Sequence, residues 1–236
     1  MHKNIAATLD RADEVYQELM EEYDRSLREQ HVSDRAIQLT HEVCERTRSA
    51  LDRTVRRYWD IHVAPSLTEE DSKKAKVYFP ITESQEAFDS MMGKSRWKAL
   101  RTDNQPIYDY LLSLQPFVDR KANKWLPLID RLAVHSKHID LVPQTRTEQR
   151  RVTVRGRGGS VSYGPGVTFG PGVQIMGAAV NPATQRIEPT PDVTEAVVNW
   201  ISFVIDGTGT NAAGFCKKAC EKTREVVTEM SDQFGL

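Results

Sequence analysis

Apolar residues recur at three- and four-residue steps through residues 4–30, where Ile5, Leu9, Val15, Leu19, Met20, Tyr23 and Leu27 alternate with charged positions. That period predicts an amphipathic helix with one buried stripe. Val32-Ser33-Asp34 supplies a break and a cap, and a second long helix starts at Ala36 with Ile37, Val43, Cys44, Leu51, Val55 and Trp59 on its apolar side. Two long helices joined by a short turn form an antiparallel hairpin. Pro65 ends the second, and Leu67–Lys76 reads as a charged connector.

The next segment, Val77-Tyr78-Phe79-Pro80-Ile81, is short, extended and apolar. Thr82 with Gln85 three residues later has the spacing of a capping box and predicts a helix through Phe88 and Met91. Asp103 and Pro106 open another helix over Ile107, Tyr110, Leu111 and Leu114, which Pro116 closes. A third runs from Asn123 to His138 with Trp125, Leu128, Ile129, Leu132 and Val134.

After Pro143 the period changes from that of a helix to that of a strand. Arg151–Arg155 alternates, Gly156 interrupts, and Gly158-Gly159 makes a turn. Two six-residue units follow, Tyr163-Gly164-Pro165-Gly166-Val167-Thr168 and Phe169-Gly170-Pro171-Gly172-Val173-Gln174. Two copies are too few for a solenoid, so these read as short strands with tight bends, continued by Gln174–Val180. Glu195–Asp206 suits a long strand, with a helix as the alternative. Gly207–Gly209 is a loop, and Asn211–Phe234 is a final helix with Phe215, Ala219, Val226, Val227 and Met230 on or near its apolar side. The fold class is therefore α+β. Residues 1–142 form a helical bundle, and 143–236 a β-rich segment with a C-terminal helix packed on that bundle.

Composition narrows this picture. The 236 residues are 39% hydrophobic and 28% charged, which suits a globular chain with a real core. A formal net charge of −1 offers no broad field for nucleic acid, so any such affinity must come from local clustering. The first ten residues lack the pattern of a secretory signal, and no stretch has the length and apolarity of a membrane span. Cys44, Cys216 and Cys220 read as reduced, packed thiols, so a cytoplasmic protein without membrane attachment is expected.

One helical face carries candidate chemistry. Arg131, His135 and His138 lie four and seven residues apart and project from nearly the same side. Histidine suits proton transfer near neutral pH, and arginine holds a phosphate through two parallel hydrogen bonds. Together they can cleave RNA without a metal: one histidine takes the 2′-hydroxyl proton, and the arginine stabilises charge on the phosphorane-like transition state. The second proton-transfer group is the other histidine or one from a dimer partner. The bland alternative is a solvated face, which nearby Lys137 favours. A zinc site would need further ligands, and neither Asp130 nor Asp140 completes a set, so no metal and no cofactor is expected.

A second cluster holds five arginines, Arg146, Arg150, Arg151, Arg155 and Arg157, against the single acid Glu148. They can neutralise phosphates, with Tyr163 and Phe169 available to stack on bases. Otherwise they line a strand edge that resists aggregation. Gly156-Arg157-Gly158-Gly159 and the Gly-Pro-Gly turns lack the ending of a nucleotide-binding loop, and turn chemistry accounts for them.

Arg131-Leu132-Ala133-Val134-His135-Ser136-Lys137-His138 fits the arginine, four-to-six residues, histidine pattern of HEPN domains. Tyr78-Phe79-Pro80-Ile81, Leu114-Gln115-Pro116-Phe117 and Trp125 to His138 resemble the Phe-Pro-Ile, Gln-Pro-aromatic and Lys-His elements of uncharacterised bacterial HEPN-like proteins. The resemblance covers about residues 5–142. It implies a helical bundle, a homodimer in which two arginine–histidine pairs meet, and metal-independent RNA cleavage by Arg131 and His138 with His135 or Ser136 in support. RNA binding by the arginine segment and a role in bacterial or phage stress or defence complete this expectation. The rival expectation is a non-enzymatic module that binds a protein partner or builds an oligomer.

Overall fold

A computed structural model describes residues 1–29, 31–94, 105–135, 144–164 and 166–236. The chain is α+β: long helices come first, then small antiparallel sheets, then a C-terminal helix. It divides into two compact units, residues 1–144 with 205–236, and residues 145–204. The helix that follows the β-rich segment in sequence therefore belongs to the helical unit. Among the described residues, no helix is long and apolar enough to cross a membrane.

The helical unit is built on α1 (Lys3–Glu29) and α2 (Asp34–His62). Of the predicted stripe, Ile5, Leu9, Val15, Leu19 and Tyr23 are buried and Met20 is half-buried. Burying a leucine such as Leu19 contributes roughly 1.5–3 kcal/mol. Ser33 caps α2 by accepting from the Ala36 amide at 3.0 Å, and its hydroxyl donates to Glu22 of α1 at 2.6 Å. One side chain thus ends the turn and fixes the hairpin.

The α2 core face is broader than its apolar letters. Thr40, Thr47 and Thr54 recur at seven-residue steps, and all three are buried. Each hydroxyl donates to the carbonyl four residues back, to Ala36, Val43 and Ala50, at 2.9, 2.9 and 2.8 Å. Bonding back into the helix satisfies the hydroxyls and lets small residues line the core. The C-terminal helix brings Cys216, Ala219, Cys220 and Val227 to the interior of the same unit, and Val227 joins Ile5, Leu9 and Ala50 in one cluster.

Between them lie short elements: a 3-10 turn (Ala64–Ser66), α3 (Glu69–Lys74), α4 (Gln85–Lys94), α5 (Gln105–Ser113), α6 (Arg120–Asn123) and α7 (Trp125–His135). The charged connector thus holds the short helix α3, capped by Thr68, whose side chain accepts from the Asp71 amide. The predicted capping box at Thr82 does not form. Thr82 instead donates through its amide and its hydroxyl to Gln115 Oε1, both at 3.0 Å, and Ser84 caps α4 by accepting from the Ala87 amide at 3.2 Å. Gln115 outcompetes the cap because its amide is fully buried and needs partners. The predicted opening of α5 at Asp103 lies outside the described residues. So do Ser136, Lys137 and His138, where the third helix was expected to end, along with Asp140, Pro143 and Pro165.

The unit of residues 145–204 is a β structure. The strands are β1 (Gln144–Gly156), β2 (Gly159–Tyr163), β3 (Gln174–Ile175), β4 (Ala178–Asn181), β5 (Arg186–Ile187), β6 (Thr194–Ile205) and, beyond this unit, β7 (Thr210–Asn211). They form a sheet of order β2-β1-β6-β7 and another of order β3-β4-β5. β1 and β2 pair antiparallel from Val152↔Tyr163 to Gly156↔Gly159, so the turn is Arg157-Gly158, one residue before the predicted Gly158-Gly159. The strand reading of Glu195–Asp206 holds, as β6. The two six-residue units are not strands: between Tyr163 and Gln174 the described backbone lies outside the strands, with Val173 accepting from the Val180 amide at 2.9 Å. Their leading aromatics meet edge to face at 4.8 Å, Tyr163 against Phe169. Both pack on the cluster of Val152, Val154, Ile175 and Val180. Gln185 holds Phe169 in place, accepting from its amide at 2.8 Å and donating to its carbonyl at 3.0 Å. Met176 and Gly177, both at positive φ, make the tight turn between β3 and β4.

Candidate functional site

The candidate face lies on α7, and the anchoring of that helix explains its exposure pattern. Leu126, Ile129 and Leu132 are buried, with exposures of 0, 0 and 1%. The buried ring of His41 meets the Leu132 carbonyl through Nδ1 at 2.9 Å. Arg48, largely enclosed on α2, reaches Asp130 at 3.0 Å, Asp52 at 3.0 Å and the Phe79 carbonyl at 3.0 Å. Asp52 also accepts from the Phe79 amide at 2.8 Å. The Phe-Pro-Ile segment and α7 are therefore tied to α2 through one arginine.

With that face inward, Arg131 points out. It is exposed, and its Nη2 donates a long 3.5 Å hydrogen bond to the Asp206 carbonyl. Among the described residues it pairs with no carboxylate. The adjacent carboxylate in sequence, Asp130, is held by Arg48 instead. The loop beneath the guanidinium turns at Gly207 (φ 72°), where a Cβ would lie 3.8 Å from Nη2. This loop leads through Thr208, whose amide and hydroxyl both donate to the Ile205 carbonyl, into Asn211. Asn211 caps the C-terminal helix α8 (Ala212–Phe234) by accepting from the Gly214 amide at 2.8 Å.

His135 is the last residue of α7, one turn beyond Arg131, whereas His138 lies outside the described residues. The arginine segment lies on β1 and its turn, in the other compact unit. Arg146 and Arg150 are on the first half of β1. Arg151 and Arg155 are exposed on the face opposite the buried Val152 and Val154. Arg157 pairs with Asp192 at 2.7 Å, with both side chains mostly in solvent. Arg155 makes no side-chain hydrogen bond or ion pair among the described residues.

Two of the motifs noted in the sequence meet in space. The Gln115 side chain donates to the Pro80 carbonyl at 3.0 Å and to the Leu111 carbonyl at 2.8 Å, while its oxygen receives both bonds from Thr82. The Gln-Pro-Phe corner and the Phe-Pro-Ile segment are one hydrogen-bonded joint. Just past it, Asp119 caps α6 through the Lys121 and Ala122 amides at 3.0 and 2.9 Å. Asn123 donates to the Ser113 carbonyl at 2.9 Å.

Sequence reasoning missed a group of cations at this corner. Arg120, Lys121 and Lys124 are exposed, and none has an ion pair among the described residues. Arg120 and Lys124 line a cleft of about 620 Å³ with Phe117 and Glu83. No charge run marks them, because two of the three fall in a one-turn helix and the third in the break before α7. The cysteines read as packed thiols are buried, and burial, followed by contact with Cys216, pushes the Cys44 thiol well above its usual range. Among the described residues no group of histidine, cysteine and carboxylate side chains is placed to hold a metal ion. Comparison with known protein families, curated proteins and solved structures finds no match to this chain.

Proposed function

We propose that this chain is a HEPN-like protein that binds and cleaves RNA without a metal, acting as a homodimer in bacterial or phage stress or defence. Arg131 carries the reading: it is a solvent-facing guanidinium, free of any described carboxylate, on a helix whose opposite face is locked into the core. A fixed base with an unneutralised cation is what phosphate recognition requires. In this proposal Arg131 binds the scissile phosphate and stabilises its developing charge. His138 moves the proton, and His135, one turn from Arg131, supports it or acts in its place. Arg150, Arg151 and Arg155 of the β unit guide the strand.

The experiment is RNA cleavage by the purified protein in the presence of a chelator, compared with the Arg131→Ala/His138→Ala double variant. Cleavage by the wild type that falls by at least a hundredfold in the double variant is expected. A wild type that cuts no RNA, or a double variant that cuts equally well, ends the proposal.

A second reading, a non-enzymatic interaction module, is favoured by one observation. Strand β2 is an edge of its sheet, and its five residues, Gly159-Ser160-Val161-Ser162-Tyr163, carry no charge. Val161 on it is 42% exposed. An uncharged edge strand of this kind accepts a strand from a partner. Val161→Lys separates the readings, since it would abolish strand pairing and leave RNA cleavage intact.

A further inference from the structure

A cavity of about 320 Å³ opens between the start of α7 and the start of α8. Its apolar walls come from Trp125, Leu128 and Phe215, and its rim carries Lys124 and Lys218. Neither lysine has an ion pair or hydrogen bond among the described residues. Thr210, Asn211 and Gly214 complete the lining, which places the first turn of a 23-residue helix, free of acidic side chains, against the cavity. Gly214 contributes bare backbone there. A Cβ at that position would sit 3.2 Å from the capping oxygen of Asn211. The volume is at the small end of the range for small-molecule sites, enough for one ring system.

The chemistry is divided in two. Two ammonium groups without a described partner and the positive end of a helix favour a phosphate. The tryptophan, leucine and phenylalanine walls favour a flat apolar body beside it. A nucleotide has both parts in the right order.

The cavity's position relative to Arg131 gives it a role. Leu128 and Arg131 are three residues apart on α7, so they share one face of it, and Lys124 sits in the turn just before the helix. Leu128 is about 4.5 Å below Arg131 along the helix axis. The loop that runs under the Arg131 guanidinium, Asp206–Gly207, continues directly into Thr210 and Asn211 of the cavity wall. A strand whose phosphate lies on Arg131 therefore has its neighbouring nucleotide over this cavity.

We infer that the cavity between Lys124 and Lys218 is a nucleotide-binding subsite, which seats the base and phosphate next to the phosphate held by Arg131. The inference rests on the RNA reading for its ligand, but the pocket and the cleavage chemistry fail separately. Adenosine 5′-monophosphate and adenosine are the probes, titrated calorimetrically into the 236-residue chain, with RNA cleavage measured alongside.

The wild type is expected to bind the monophosphate at least tenfold more tightly than the nucleoside. Lys124→Ala/Lys218→Ala should remove that preference, with a circular-dichroism melt unchanged from wild type. Arg131→Ala should leave monophosphate binding intact while cleavage is lost. Leu128→Glu, which puts a carboxylate into the apolar wall, should abolish binding of both probes. If the wild type binds no monophosphate, or the double lysine variant binds it as the wild type does, the subsite is refuted even where RNA is cut. If monophosphate binding depends on the lysines and no RNA is ever cut, the subsite stands and the nuclease proposal falls.

Discussion

Replacing Gln115 tests whether the corner that leads into α7 is held as described. Its side chain is wholly buried and makes four hydrogen bonds, two received from Thr82 and two given to the Pro80 and Leu111 carbonyls. Gln115→Ala removes all four and opens a small void. The Thr82 hydroxyl is half-buried and can turn to water, and the Leu111 carbonyl belongs to the helix. The Thr82 amide and the buried Pro80 carbonyl are left without partners. Each orphaned buried group costs about 1–3 kcal/mol, so the expected loss is about 2–6 kcal/mol. That is a large share of the roughly 5–15 kcal/mol that a domain has.

Gln115→Glu sharpens the test, because it keeps the shape and changes only the donor side. An ionised carboxylate would face the Pro80 and Leu111 carbonyls, so the folded state holds the acid protonated and raises its pKa above the ordinary value of about 4.3. An acid raised in this way loses stability as pH climbs from its unfolded value through its folded one. The variant should be close to wild type at pH 4 and worse at pH 7, by about 1.4 kcal/mol for every tenfold change in proton affinity. Urea melts at the two pH values, each referenced to wild type, measure this. A loss under 1 kcal/mol for the alanine variant, or a glutamate penalty equal at both pH values, would refute the hub.

Other consequences follow from burial and charge. Burial raises the Tyr23, Tyr58 and Tyr110 phenols, Tyr58 to about 12. Stability should therefore be complete below pH 10 and fall as pH rises from 10 through 12, which absorbance near 295 nm together with circular dichroism would follow. All three cysteines are buried, so a thiol reagent at neutral pH should label none in the native protein and three after denaturation. Arg48→Ala should cost about 1–3 kcal/mol in a denaturant melt, because it strips Asp52, Asp130 and the Phe79 carbonyl of a shared partner. Arg157→Ala should change stability by less than about 0.5 kcal/mol, since its pair with Asp192 lies in solvent.

The parts legible in the sequence were those governed by local period. The stripes of α1, α2 and α8, the Ser33 cap, a turn within one residue of Gly158-Gly159 and the strand expected at Glu195–Asp206 all follow from spacing within one element. What escaped depended on partners distant in the chain. Thr82 has the letters of a capping box, yet Gln115, thirty-three residues on, takes its hydrogen bonds. The Gly-Pro-Gly units look like strand and turn, but their aromatics are drawn onto a common core, which leaves the described backbone between them outside the strands. Thr40, Thr47 and Thr54 look polar, and only a helix that absorbs their hydroxyls makes them core residues. On the candidate face, Arg131 was legible because its helix is regular. Lys218 was not, since it lies eighty-seven positions along and reaches the cavity beside α7 only through the fold.

The net charge of −1 says little about whether such a face binds an anion. At physiological ionic strength exposed charges more than about 8 Å apart are largely screened, so what counts is the balance within that radius. On α7 this balance is set by an internal arrangement. Asp130, adjacent to Arg131 in sequence, points to a different side of the helix and is paired with Arg48 of α2. Arg48, largely enclosed, thereby leaves Arg131 without a carboxylate partner among the described residues. The turn before that helix offers Lys124 without a described partner, and α8 adds Lys218 and the positive end of its own dipole. Positive charge is thus concentrated around the start and one side of α7 in a chain that is nearly neutral as a whole. Losing Arg48 would then reduce stability and leave the Asp130 charge uncompensated within the screening distance of Arg131, so its removal should weaken anion binding at a site it does not touch.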